Sequence, residues 1–150
     1  MLHTASEVIS LARNLENESA KFYEDISILH KQNKDVFLGY SKENVKNVKR
    51  IERAYYGTIS DAFEGTFAFN IEEKNYTFET GLAKNSEYAD TLNKALSIEK
   101  LIARFYSDAA GQSQSLMADV PRVFKLMASE RAERIERLES ILKSASEVPR

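Results

Sequence analysis

At 150 residues, with 43% apolar and 29% charged side chains, the chain has the size and composition of one globular domain, residues 1–150, with a core of its own. A net charge of −2 with acids and bases interspersed gives no reason to expect nucleic acid or an anionic membrane as a partner. The absence of Cys excludes disulfides, thiolate zinc sites, cysteine nucleophiles and iron–sulfur clusters.

Thr4-x-x-Glu7 reads as a capping box, and Val8, Ala12, Leu15, Ser19, Phe22, Ile26 and Leu29 follow at helical spacing. The pattern predicts helix A from about Ala5 to about His30. Lys31 to Lys34 is a short polar turn of the kind that joins antiparallel neighbours. Helix B is expected from near Asp35 to near Phe63, with Phe37, Tyr40, Val48, Ile51, Tyr55 and Ile59 on its inner side; Gly57 weakens it without requiring a break. Gly65 to Asn85 differs, with Phe67, Phe69, Ile71, Tyr76 and Phe78 among polar residues in partly strand-like alternation. It reads as a long crossover packing its aromatics on the bundle; the competing reading is a lid or association surface. Ser86-Glu87 opens helix C, which carries Tyr88, Leu92, Ala95, Ile102, Tyr106 and Ala109 and ends at Gly111. Asp119 is expected to cap helix D, with Pro121 in its first turn and an apolar stripe running from Phe124 to Leu142, ending at about Lys143. Two helical hairpins joined by one long crossover make an all-α four-helix bundle. Met1 precedes a polar, capped helix rather than an apolar leader, and no apolar run reaches bilayer length, so a cytoplasmic address is the expectation.

One block is written twice: Leu15 to Tyr23 reads LENESAKFY and Ile98 to Tyr106 reads IEKLIARFY. Glu16 and Tyr23, like Glu99 and Tyr106, stand two helical turns apart and share a face. That face is the inner one. Followed at alternating three- and four-residue steps, every inner stripe is interrupted by polar residues. Helix A has Glu16 and Ser19, helix B has Asn44 and Asn47, helix C has Glu99, and helix D has Arg131 and Arg134. Buried polar groups are costly unless they meet, so these residues are expected to meet one another.

In this arrangement the chain resembles the rubrerythrin-like branch of the ferritin-like di-iron carboxylate proteins over nearly its whole length. The resemblance implies a ferritin-like four-helix bundle in which Glu16 and Glu99 stand at the metal-ligand positions of the first and third helices. The family's other two helices carry Glu-x-x-His. Here those motifs read Asn44-x-x-Asn47, with Ile51 four residues on, and Arg131-x-x-Arg134, followed by Leu138. Both bridging carboxylates and both imidazoles are replaced. Arginine offers only donors and stays cationic, so it does not ligate a metal. The expectation is that the guanidinium groups occupy the vacated metal positions and pair with Glu16 and Glu99, while Asn44 and Asn47 take up leftover donors and acceptors. No metal or other cofactor is then expected.

Several rival readings stand beside this one. A rotation of helices B and D by about 100°, one residue's worth, would bring Glu43, Glu130 and Glu133 to Glu16 and Glu99 as a carboxylate-only site for iron or manganese. His3 and His30, the only imidazoles, read as solvent-facing or capping residues, His30 with partial charge suited to a helix end. Tyr23 and Tyr106 read as packed rings with satisfied hydroxyls rather than redox groups. Lys42, Lys46, Lys49, Arg50 and Arg53 form a basic stripe on helix B, interrupted by Glu43 and Glu52, and read as a solvated face. The leading function is a non-catalytic bundle with a structural, regulatory or protein-binding role. The alternatives are a metal-binding oxidoreductase of peroxidase or ferroxidase type with an altered carboxylate site, and a small-anion binder using Arg131 and Arg134. The aromatic crossover and the habit of the family make a homodimer an expectation.

Overall fold

Thr4 starts the first helix in the expected way. Its Oγ1 accepts a hydrogen bond from the Glu7 amide at 3.2 Å, and the Glu7 carboxylate reaches back to the Thr4 amide at 3.1 Å. The computed structural model describes residues 1–58, 67–113 and 119–147. Four helices dominate it: α1 (Ala5–Leu29), α2 (Lys34–Thr58), α3 (Tyr88–Gln112) and α4 (Asp119–Glu147). The chain is therefore predominantly helical and all-α in class, as the 3.6-residue periodicity requires.

The pairing of the helices follows from which residues touch. Glu24 meets Ser41 and Arg13 meets Glu52, so α1 and α2 run antiparallel. The turn between them uses Asn33 at φ 57°, a left-handed conformation that Asn tolerates better than most side chains. Tyr106 packs on Phe124 and Glu99 meets Arg131, so α3 and α4 are also antiparallel. Tyr23 meets Glu99 and Tyr106 meets Glu16, which sets α3 antiparallel to α1. It follows that α2 and α3 are parallel, and a chain passing between them must travel the length of the bundle. The long crossover is a consequence of that topology.

The described part of the crossover is packed. Phe69, Ile71 and Tyr76 are buried, Tyr76 lies edge-on to Phe105 at 5.4 Å, and its hydroxyl donates to Asp108. This favours packing over a lid, because the rings are already covered. One element was not expected. Leu2–Thr4 (β1) pairs antiparallel with Phe67–Ile71 (β2), joining Leu2 to Ile71 and Thr4 to Phe67. The alternation of the crossover finds its partner strand in the residues ahead of the first helix, and Glu73–Tyr76 adds a 3-10 turn.

The other boundaries need modest correction. The expected continuation of helix B through residues 59–63, Ile59 included, lies outside the described residues. Helix α3 begins at Tyr88 with Glu87 as its cap residue, one residue later than expected. Asp119 is the first residue of α4 rather than its cap, and its carboxylate accepts from Arg122 at 2.8 Å. Helix α4 continues past Lys143 to Glu147, because Ala145 extends the packed stripe and no Gly or Pro intervenes before Pro149. Among the described residues, no helix is long and apolar enough to cross a membrane.

Candidate functional site

Each helix brings its interrupting polar residue to one level of the interior. Glu16, Asn44 and Glu99 are wholly buried, Arg131 is 1% exposed, and Asn47 and Arg134 are each 6% exposed. The flanking apolar residues fix this register. Tyr23, Phe37, Ile51, Tyr106, Phe124 and Leu138 are all buried on the same faces, so the polar groups have nowhere else to point.

Arg131 holds the centre. Its Nη1 donates to both carboxylate oxygens of Glu99, at 2.7 and 2.8 Å. Its Nη2 donates to Glu16 Oε2 and, at 3.1 Å, to Asn44 Oδ1. One guanidinium thus joins three other helices. Arg134 adds a second layer, with Nη1 donating to Asn44 Oδ1 at 2.8 Å and to Glu99 Oε1 at 3.1 Å. Its Nη2 leaves the core to reach Glu43 Oε2 at 2.9 Å. The Arg134 guanidinium also lies over the rings of Tyr40, at 4.5 Å, and Tyr23, at 5.5 Å.

The two sequence copies lock together crosswise. Tyr23 Oη donates to Glu99 Oε1, and Tyr106 Oη donates to Glu16 Oε1, each at 2.5 Å. Every copy supplies the tyrosine for the other copy's glutamate. Charge breaks this two-fold symmetry, since α4 carries both cations and α2 carries two neutral amides at the corresponding places.

Two carboxylates facing two guanidinium groups leave the interior balanced. Burial alone would raise the Glu99 carboxyl, but the charges of Arg131 and Arg134, with hydrogen bonds from Arg131 and Tyr23, hold it below the usual range. Burial works against the Arg131 cation too, and the adjacent Glu16 and Glu99 outweigh it, keeping the guanidinium firmly charged. Burial opposes the Arg134 cation, as does neighbouring Arg131, yet Glu99 prevails there as well. Burial first, and then its glutamate partner, pushes each tyrosine hydroxyl well above its ordinary value. Both tyrosines remain donors.

Asn44 enters this network and Asn47 does not. Asn47 instead accepts from Arg50 Nη1 at 3.0 Å, and the same nitrogen donates to Glu130 at 2.8 Å. The leftover donors of the core are met by Asn44 and Glu43, because Asn47 stands nearly one turn further along α2, where Arg50, from the turn beyond it, donates to its side-chain carbonyl oxygen. Ser19 Oγ and Asn44 Nδ2 are buried without a hydrogen-bond partner among the described residues.

The rotated register does not occur. Glu43 and Glu130 sit at the rim, with side chains 61% and 43% exposed, and Glu133 is exposed. Leu138 is fully buried, as only the register with Arg131 inside allows. His30 is a capping residue, as expected, but not a partly charged one. It ends α1 with its backbone amide on Ile26, but its ring is half-buried against Thr91 at 3.1 Å, and burial lowers its pKa toward the neutral form. His3 is no free surface group either, its Nδ1 lying 3.1 Å from the Phe69 carbonyl. A cleft of about 430 Å3 opens between α2 and α4, with Asn47, Arg131 and Arg134 at its base and Glu43, Lys46, Arg50, Glu130 and Glu133 around it.

The chain matches no protein-family model, no curated protein and no solved structure. The interior must therefore be judged on its own chemistry. A pair of iron or manganese ions needs bridging carboxylates and imidazole nitrogens with free lone pairs. Here the lone pairs of Glu16 and Glu99 face guanidinium and phenol donors, and a cation already stands between them. Among the described residues no group of three or more His, Cys, Asp or Glu is placed to hold a metal ion. The residues present do not fit a dinuclear centre.

Proposed function

We propose that the chain is a ferritin-like bundle related to the rubrerythrins, in which the guanidinium groups of Arg131 and Arg134 have taken the place of the dinuclear metal, leaving a non-catalytic structural, regulatory or protein-binding module. The observation that carries this reading is the position of Arg131, buried and hydrogen-bonded to both Glu16 and Glu99. Di-iron proteins neutralise such carboxylates with metal, and here the fixed charges of Arg131 and Arg134 together balance them. The long connection between parallel α2 and α3 supports the same lineage, since ferritin-like folds carry one such crossover. A non-catalytic role agrees with the titration of the site. Glu99, the two tyrosines and the two arginines are all displaced away from neutral pH, so none of them is poised to exchange protons there.

Metal analysis tests the reading. After expression in iron-supplemented medium, the purified protein is expected to carry iron and manganese far below one ion per chain and to show no absorbance change with peroxide. Stoichiometric iron with a peroxide-dependent spectrum would make it an oxidoreductase instead. The cleft favours a second reading, a small-anion site, because the Arg134 cation meets its outer partner, Glu43, from the solvent side. An anion that displaces Glu43 would raise the melting temperature in a screen of sulfate, phosphate and acetate. The structural reading expects no such rise.

A further inference from the structure

The basic stripe of α2 is left unexplained by the interior. Lys42, Lys46, Lys49 and Arg53 are exposed and follow one another at alternating four- and three-residue steps along the outward line of the helix. Val45, 49% exposed, and Tyr56, 68% exposed, lie on the same line. The acidic residues that interrupt the stripe in sequence do not interrupt it in space. Glu43 turns toward α4, where it takes Arg134, and Glu52 turns toward α1, where it takes Arg13. Arg50 also leaves the line, to pair with Glu130. Among the described residues, none of the four remaining cations has a carboxylate within ion-pair distance. A chain of net charge −2 thus concentrates four positive charges that no described carboxylate pairs, with two exposed apolar side chains, on one helix face about 21 Å long.

We propose that this face docks an acidic amphipathic helix of a partner protein, laid along α2. Charge complementarity selects an anionic partner, and the geometry selects its shape. The line is one helix wide and is bounded on both flanks by carboxylates, Glu43 and Glu130 on the α4 side and Glu52 on the α1 side. A second helix, about 10–12 Å across, laid along this line meets all four cations with one face. The alternating steps match the side-chain spacing of a second helix, with acidic residues facing the cations and an apolar residue against Val45 or Tyr56. This deepens the protein-binding part of the proposed function. It lies on the opposite face of α2 from Asn44, so its failure would leave the account of the interior untouched.

The probe is a fluorescein-labelled helical peptide of about 20 residues, with Glu at alternating three- and four-residue steps and Leu beside them. The full chain is titrated into it and anisotropy is followed at about 0.05 M and about 0.15 M salt. Saturable binding that weakens with salt is expected, at least about tenfold weaker for the K46E/K49E variant and unchanged within about twofold for K125E/K143E on α4. All four lysines are exposed, and matching circular dichroism melts establish that each variant keeps its fold. Undiminished binding by K46E/K49E, or equal binding of a scrambled peptide of the same composition, would overturn the proposal. So would tighter binding of a single-stranded oligothymidylate, a DNA duplex or phosphatidylserine vesicles. Sedimentation showing a dimer that K46E/K49E dissolves would assign the face to a second copy of the chain, and would overturn it too.

Discussion

Changing Arg131 to Met keeps most of the side-chain volume and removes the charge, so the loss it causes reports on electrostatics more than on packing. Arg131 makes four hydrogen bonds, two to Glu99 and one each to Glu16 and Asn44, and it is 1% exposed. Without it, two buried carboxylates face the single cation of Arg134, and the balanced interior gains a net negative charge. Stranding a buried charge in this way costs about 3–5 kcal/mol. Against a total stability of about 5–15 kcal/mol that is a large fraction. For a domain of this length the midpoint moves about 2–4 °C per kcal/mol, so a drop of roughly 6–20 °C is expected. The pH dependence identifies the cause. In the parent, Glu99 titrates below its ordinary value, so its contribution is present above about pH 4.3 and is lost as pH falls through the lower folded value. In the variant, burial acts on Glu99 with one counter-charge fewer, and that contribution shrinks or reverses. The gap between parent and variant should therefore be widest near neutrality and should narrow as pH falls toward 4. Thermal melts followed by circular dichroism from about pH 7 to about pH 4 measure it. A loss of about 1 kcal/mol or less, independent of pH, would refute the charge argument.

Three further outcomes follow from the same geometry. Arg131→Glu should melt below Arg131→Met, since it adds a third buried carboxylate instead of leaving the count at two; equal melting temperatures would show that the position is not electrostatically coupled to Glu16 and Glu99. Tyr106→Phe should cost about 1–3 kcal/mol in urea unfolding, because it removes the donor that meets Glu16 Oε1. Tyr23→Phe should cost less, about 0.5–1.5 kcal/mol, because Glu99 Oε1 keeps Arg131 and Arg134; a cost within experimental error for both would deny the crosswise pairing. Thr4→Ala should cost about 1 kcal/mol by loss of the cap of α1, and an unchanged unfolding midpoint would mean that Thr4 contributes nothing there.

The sequence reveals as much of this protein as its periodicities reach. Four helices are legible because Phe22, Ile51, Ile102 and Leu138 recur at helical spacing with their neighbours, and the polar interruptions are legible because they break those same stripes. The convergence of Glu16, Glu99 and Arg131 is a consequence of register, and register is written in each helix separately. What lies between helices is not. The pattern puts Glu16 and Tyr23 on one face, but only the packing of α1 against α3 sends Tyr23 to Glu99 and Tyr106 to Glu16. Asn47 looks equivalent to Asn44 by spacing, yet one turn carries it to Arg50. The β1–β2 ribbon joins residues more than sixty positions apart, and a strand of three residues, the last of them the helix cap, carries no periodicity to announce it. Likewise the basic stripe reads as interrupted along the chain, because the directions of Glu43 and Glu52 depend on Arg134 and Arg13, which are far away in sequence.

The central claim is that Arg131 and Arg134 stand where a metal pair would stand, and rebuilding the site tests it most directly. Changing Asn44 and Arg131 to Glu, and Asn47 and Arg134 to His, sets two Glu-x-x-His motifs around Glu16 and Glu99. Four carboxylates crowded at one level should leave this variant less stable than the parent in the absence of metal. Thermal melts of both proteins, with and without iron(II) or manganese(II), are the measurement. The rebuilt variant should rise with metal, by about 2.7 kcal/mol at a hundredfold excess over its dissociation constant, while the parent should not respond. A rebuilt variant indifferent to both metals, or a parent stabilised as much as the variant, would contradict the account.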